Sequence, residues 1–256
     1  VETGPRGGQT RVNPVDVWNN QKDRVVVEGV QCAPGEEYPL FADDRGRKWI
    51  NIFRAPAWSA AGGEIVTWER YLAHLLPNQE EREFFTKWLA YKLKNPGVPG
   101  PAILMVARQH GAGRGTLFDI LERFFSERFV RTVPFSTFTG KTHQSQYNEW
   151  QVGSVFVFVD ESSEVRNGSL FHTRNNTYEH LKEVLDPRPR RIEVRVKGRD
   201  NYYAQSHHST IIASNHADAL PLPEGDRRIA VLTNGNSMAS ELSEAIHAWK
   251  ASEANM

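Results

Sequence analysis

Cysteine is almost absent from this chain. Of 256 residues only Cys32 is a cysteine, which excludes an intramolecular disulfide framework and agrees with a reducing compartment. Charge of one sign is missing as well. Thirty-one basic residues face 31 acidic ones, for a formal net charge of zero, so any local excess stands out. No apolar run approaches the roughly 20 residues needed to cross a bilayer. Val1–Gly8 has no signal-peptide pattern and no initiating Met; it reads as linker, and a fragment of a longer chain is expected. Hydrophobic residues at 39% and charged residues at 24% are ordinary for a globular protein. At this length one α/β core with smaller appendages is expected.

The most informative stretch present is Val155-Phe156-Val157-Phe158-Val159-Asp160-Glu161. Five apolar residues, three of them β-branched, predict a strand buried on both faces, as inside a parallel sheet. It ends on two carboxylates. In open α/β sheets ligands lie beyond the carboxyl ends of the strands, where Asp160 can hold Mg²⁺ while Glu161 positions a water for ATP hydrolysis. Acids also end strands simply as the first residues of polar loops.

Upstream, Ile103–Val106 predicts a second buried strand, followed by Arg108–Thr116 and a helix with Leu117, Phe118, Ile120, Leu121, Phe124 and Phe125 on one side. Strand, glycine loop and helix is the context of a phosphate loop, in which backbone N–H groups turn inward and the helix N-terminus adds positive potential. Gly111, Ala112, Gly113, Arg114, Gly115 and Thr116 are the candidate nucleotide-binding residues. Against G-x-x-x-x-G-K-[ST], Arg108 stands at the first glycine, Arg114 at the lysine and Gly115 at the hydroxyl, so only Gly113 matches. Thr116 can still offer a hydroxyl to the metal. Arg114 keeps the charge but is planar and bulkier than an ammonium. An ordinary glycine-rich turn between strand and helix fits the loop equally well.

Thr210–Ser214 predicts a third buried strand, ending at Asn215, whose amide can orient a water or touch a terminal phosphate; Asn also starts many turns. Asp226-Arg227-Arg228 then precedes the strand-like Ile229–Leu232. Either arginine can serve as a finger for a neighbouring subunit or simply pair with Asp226 at the surface. Between the acidic and amide strands, six of the twelve residues from Arg188 to Arg199 are cationic. Ile192, Val194 and Val196 alternate with charges, predicting a half-buried strand that runs to a hairpin tip at Lys197-Gly198-Arg199-Asp200. Arg195, Lys197 and Arg199 are candidate DNA-phosphate contacts, or the solvated face of a strand. His110, His143, His172, His180, His207, His208 and His216 show no metal-ligand spacing, and no zinc site is assigned.

The order of these pieces resembles the superfamily 3 helicases, which include primase-helicases of phages, plasmids and poxviruses. It comprises a glycine loop, a strand ending in Asp160-Glu161, a basic hairpin with Lys197-Gly198, a strand ending in Ser214-Asn215, and Asp226-Arg227-Arg228. Asn51-Ile52-Phe53, Phe85–Ala90 and Gln146-Tyr147-Asn148 agree with it, and the resemblance covers roughly residues 15 to 235. It implies an AAA+-like P-loop NTPase core with a parallel sheet, ATP and Mg²⁺ as cofactors, and a homo-hexameric ring. Single-stranded or forked DNA would pass through the centre, and a primase or polymerase domain would lie upstream on the same chain. Thr116 and Asp160 would hold the metal, Glu161 activate water, Asn215 sense the γ-phosphate, and Arg227 or Arg228 complete the adjacent site. The place of action would be the host cytoplasm. No paired-Asp primase signature is evident in the chain itself.

The expected organisation is a linker over 1–14, a β-rich lead-in over 15–63 with strand signals at Val25–Val27 and Trp49–Phe53, a helical segment over 64–97, the core over 98–235 and a terminal helix over 236–256. Helical stripes fall at Trp68, Tyr71, Leu72, Leu75 and Leu76, at Phe84, Phe85, Trp88 and Leu89, and at Met238, Leu242, Ile246 and Trp249. Asn95–Pro101 is the expected boundary. Two other readings stay open: a nucleotide-binding but catalytically silent DNA-binding ring, which the arginine at 114 would explain, and a small-molecule phosphotransferase.

Overall fold

The computed structural model describes residues 2–3, 9–10, 13–56, 63–140, 142–160, 180–188, 190–216, 219–220, 222–223 and 225–252. In chain order the first elements are β1 (Glu2–Thr3), β2 (Gln9–Thr10), α1 (Pro14–Asn20), β3 (Gly29–Gln31), β4 (Leu40–Ala42) and β5 (Lys48–Asn51). Then come α2 (Val66–Leu75), α3 (Gln79–Lys94), β6 (Ala102–Val106), α4 (Arg114–Phe125), β7 (Val130–Pro134), α5 (Phe135–Phe138) and two 3₁₀ turns, His143–Gln146 and Glu149–Gln151. β8 (Phe156–Asp160), α6 (180–184), β9 (Arg190–Val194), β10 (Tyr202–Ser206), β11 (Ser209–Ser214), β12 (Ile229–Thr233) and α7 (Ser240–Ala251) complete it.

The expected α/β core is a five-stranded sheet in the order β12-β6-β11-β8-β7, and every pairing in it is parallel. All five residues of β6 are buried, as are the first four of β8. This is why both read as unbroken apolar runs: a strand covered on two faces has no polar side to alternate with. The chain crosses from β6 over to the far edge at β7 and then returns inward through β8 and β11. β6 is therefore the point where the strand order reverses, and the crevice beyond its carboxyl end is where such sheets bind ligands.

One face of the sheet packs on α2, α3, α4 and α7 through Tyr71, Leu75, Phe85, Leu89, Ile103, Met105, Leu117, Phe156 and Ile246. The other packs on α5 and α6 through Phe138, Leu181 and Leu185 against Leu104, Val157 and Ile212. Burying each such side chain contributes roughly 1.5–3 kcal/mol. Asn78 caps α3, its side chain accepting from the amides of Glu80 and Glu81. Trp249 of α7 stacks on Trp68 of α2 at 5.8 Å. Among the described residues no helix is long and apolar enough to cross a membrane.

Several sequence expectations need correction. The lead-in opens with a helix, α1, and Val25–Val27 is not a strand; Val25 and Val26 are exposed. A β-branched run becomes a strand only where a partner edge is available, and that edge, β5, takes β3 and β4 instead. Phe84 faces solvent, and the inward position one turn past Trp88 belongs to Lys92, which is 2% exposed. Its ammonium donates to the carbonyls of Pro96 (2.9 Å), Val98 (3.0 Å) and His207 (2.5 Å). Asn95–Pro101 is thus a tied connection, and Cys32, Phe53 and the helical segment share one core with the sheet.

His207 and His208 lie between β10 and β11, both buried. His207 Nδ1 donates to the Gly97 carbonyl (2.9 Å), and His208 Nδ1 to that of Gln151 (3.1 Å). Burial pushes their pKa values down to about 4 and about 3, so the folded protein keeps both rings neutral where the unfolded chain takes up protons below about 6.5. The contribution of these two rings to folding stability is therefore complete above about pH 6.5 and falls as the pH drops from there toward 4. Chemical denaturation at pH 7, 6 and 5 should show a midpoint declining with acid, and His208→Gln should flatten that slope. An unchanged slope would mean that His208 is accessible to protons in the folded state.

Candidate nucleotide-binding site

The loop after β6 is shaped by two glycines with left-handed backbone, Gly111 (φ +77°) and Gly113 (φ +96°). Gly113 is the residue from which α4 starts. A side chain there would be strained, and its Cβ would press on the Tyr71 ring at 3.2 Å. The loop is braced from behind. The Tyr71 hydroxyl donates to the Gly113 carbonyl (2.9 Å), Ser237 Oγ to the His110 carbonyl (2.6 Å), and the Met238 amide to the Gly111 carbonyl (2.9 Å). Carbonyls are thus held on that side, and the amides at the start of α4 lack partners within the helix.

The crevice is a cavity of about 280 Å³. Gly111, Ala112, Gly113, Arg114 and Gly115 line it from the loop, Asp160 from the end of β8 and Asn215 from the end of β11. Phe118 and Phe158 meet edge to face at 4.8 Å in its apolar wall. No Cβ contact lies within 4 Å of Gly115, which opens on this space. The volume lies just under the usual 300–1,000 Å³ of small-molecule pockets. Thr132 of β7 and His110 also line the cavity. Thr132 carries no sequence signal, because it arrives only through the pairing of β7 with β8.

Arg114 lines the crevice with its guanidinium bonded to the crevice's own wall. Its Nη1 donates to the Ser214 carbonyl at 2.7 Å and reaches that of Met105 at 3.4 Å, while Nη2 donates to Asn215 Oδ1 at 2.8 Å. The guanidinium thereby cross-braces the carboxyl ends of β6 and β11, a fork geometry that a compact ammonium cannot reproduce. With the Asn215 oxygen accepting from Arg114, its NH₂ remains as a donor.

The other sequence candidates lie elsewhere. Thr116 is 8% exposed in the first turn of α4 and is not among the lining residues. Glu161 falls outside the described residues. Arg227 and Arg228 precede β12, at the amino end of the sheet, about 16 Å of strand from the cavity's end. Arg227 is exposed, while Arg228 sits 3.8 Å from the carboxylate of Asp226. β9 and β10 form the expected hairpin, with Gly198 at φ +73° in its tip and Val194 buried against Val152 and Ala204. Lys197 and Arg199 are exposed there. Arg195 is exposed too but is paired to Glu193 at 2.9 Å. Among the described residues no group of three or more His, Cys, Asp or Glu is arranged to hold a metal; Asp160 is the carboxylate the structure puts in the crevice.

A parallel sheet with a glycine loop, an acid and an amide at the carboxyl ends of adjacent strands defines a P-loop-like α/β core. Residues 105–228 match a family of unknown function (DUF5906). The chain is 24% identical over 206 residues to the DNA primase-polymerase of Nitratiruptor phage NrS-1, spanning 78% of this chain and 27% of that protein. Its fold is shared with the apo structure of the NrS-1 C-terminal region, at a TM-score of 0.67 and 19% identity, covering 86% of this chain and 52% of that one. A second apo form of the same region gives 0.67 at 16% identity, covering 94% and 57%.

The bracing of the loop can be tested directly. Tyr71→Phe keeps the ring in the core but leaves the Gly113 carbonyl with only the longer bond from the Leu117 amide (3.3 Å), and should cost about 1 kcal/mol in denaturant-induced unfolding. A variant as stable as the parent would show that the loop holds its shape without the hydroxyl.

Proposed function

We propose that this chain is the ATP-driven helicase or translocase module of a phage-type DNA replication protein, of the superfamily 3 kind. It would work as a homo-hexameric ring, with a primase or polymerase region elsewhere on the same polypeptide. The observation that carries the reading is the gathering of Gly111–Gly115, Asp160 and Asn215 around one crevice at the reversal point of a parallel sheet. The likeness to the NrS-1 primase-polymerase supports the replication context.

In this reading the loop amides would cradle the phosphates of ATP, and Asp160 and Thr116 would hold Mg²⁺, which would supply charge neutralisation there. Glu161, which follows Asp160 in sequence, orients the attacking water, and the Asn215 amide contacts the terminal phosphate. Arg227 or Arg228, too far along the sheet to serve its own crevice, reaches that of the next subunit; such head-to-tail interfaces close into rings. Arg195, Lys197 and Arg199 face single-stranded or forked DNA. A second reading, a ring that binds nucleotide and DNA without turnover, is favoured by one observation: the Arg114 guanidinium is bonded to Asn215 and the Ser214 carbonyl.

Two variant sets separate these readings. Glu161→Gln should lower ATP turnover by about 10²- to 10⁴-fold while leaving nucleotide affinity nearly unchanged, because the carboxylate and not its shape activates water. A Gln variant that hydrolyses at the parent rate removes Glu161 from the site. In the second set Arg114→Ala should weaken nucleotide binding about tenfold or more, and Arg114→Lys should keep or raise turnover. Turnover gained only in the Lys variant supports the silent ring, and equal nucleotide affinity in all three proteins removes the loop from phosphate binding.

A further inference from the structure

A second, larger cavity is also lined by β7. Its volume is about 640 Å³, and its walls include Thr132 and Pro134 of β7, Thr137 of α5, Gln144, Tyr147 and Trp150 of the 3₁₀ segment, and Lys197 at the hairpin tip. The Trp150 ring is fixed in place by Phe138 (6.2 Å) and His208 (5.5 Å between centroids). The hairpin's distance from the aromatic wall is set by the residue next to Tyr147. Asn148 donates from its side chain to the Glu193 carbonyl (2.9 Å), accepts from the Arg195 amide (2.7 Å), and donates from its own amide to the Arg195 carbonyl (3.2 Å). These bonds fix the hairpin against the aromatic segment. Lys197 is exposed at its rim, and among the described residues it has no carboxylate partner within ion-pair distance.

The chemistry of these walls is selective. Half-buried aromatic rings offer faces or edges on which a base can lie, Gln144 and Thr137 offer donors and acceptors for a base edge, and one cation at the mouth suits a phosphate. The volume falls within the usual range for small-molecule pockets. Building on the DNA-translocating reading above, we propose that this cavity receives one nucleotide unit of a single DNA strand, its base against Tyr147 and Trp150 and its phosphate on Lys197. Thr132 lines both cavities, so the strand pocket and the nucleotide crevice share a wall.

Fluorescence anisotropy in the absence of ATP tests the assignment. A labelled oligothymidylate and an abasic strand of equal length are titrated into the unaltered protein, Tyr147→Ala, Tyr147→Phe and Lys197→Ala at two salt concentrations. The unaltered protein should bind the base-bearing strand about tenfold more tightly than the abasic one. Tyr147→Ala should lose that preference and Tyr147→Phe retain it. Lys197→Ala should keep the preference and reduce the salt slope by about 0.7 per site occupied. Thymidine monophosphate should compete only at concentrations far above those of the strand. The abasic comparison on the unaltered protein stands even if Tyr147→Ala unfolds. Equal affinity for both strands with an intact salt slope overturns the base pocket and leaves a phosphate contact of the translocase. Competition by the free nucleotide as strong as by the strand reassigns the pocket to free nucleotides. Absence of binding to either strand overturns the pocket and the DNA reading together.

Discussion

The insertion of β11 between β6 and β8 is the constraint on which the rest of the molecule depends. Parallel pairing on both edges puts Ala213 level with Met105 on one side and Asp160 on the other. The glycine loop, the acid and the amide thus reach the same rim although they come from stretches about fifty residues apart. Parallel strands cannot be joined by tight turns, so each crossover must bring its own helix or loop. Those crossovers cover both faces with apolar side chains and make the sheet a buried one.

The rim created in this way needs a device to hold neighbouring strand ends together, and Arg114 is in a position to supply it. One guanidinium satisfies the Ser214 carbonyl and the Asn215 side chain, with the Met105 carbonyl within reach. A cation committed to backbone carbonyls and an amide keeps its charge but has fewer N–H donors left to offer. The brace draws on donors that face the crevice, so the arginine ties the shape of that crevice to the two strand ends.

Support for the loop comes from the helices beneath it. α2 contributes the Tyr71 hydroxyl, and the segment before α7 contributes Ser237 and Met238. α3 fastens the chain entering β6 through Lys92 and through Trp88, whose indole N–H donates to the Pro101 carbonyl at 2.9 Å. The glycines can then take left-handed conformations without the loop losing its shape, because the backbone around them is tied on the side away from the crevice. The hairpin follows the same logic, with Asn148 fastening it to the core so that its exposed cations project from a fixed base.

The sequence by itself determined the elements whose signal is local. β6, β8, β11 and β12 were legible as apolar runs, α4 and α7 from their spacing, the hairpin from alternation about Gly198, and the rim residues Gly111–Gly115, Asp160 and Asn215 from their places at strand ends. Local pattern carries that information because burial on two faces, helical periodicity and turn geometry each constrain adjacent residues. What only the tertiary structure decided was pairing. Strand order, the failure of Val25–Val27 to become a strand, the inward turn of Lys92 in place of Phe84, the joining of lead-in and sheet in one core, and the reach of Arg114 to Asn215 all depend on partners distant in sequence. A strand edge, a carbonyl cluster or an amide enters a residue's surroundings only once the chain has closed its loops, and no window of neighbouring residues contains it.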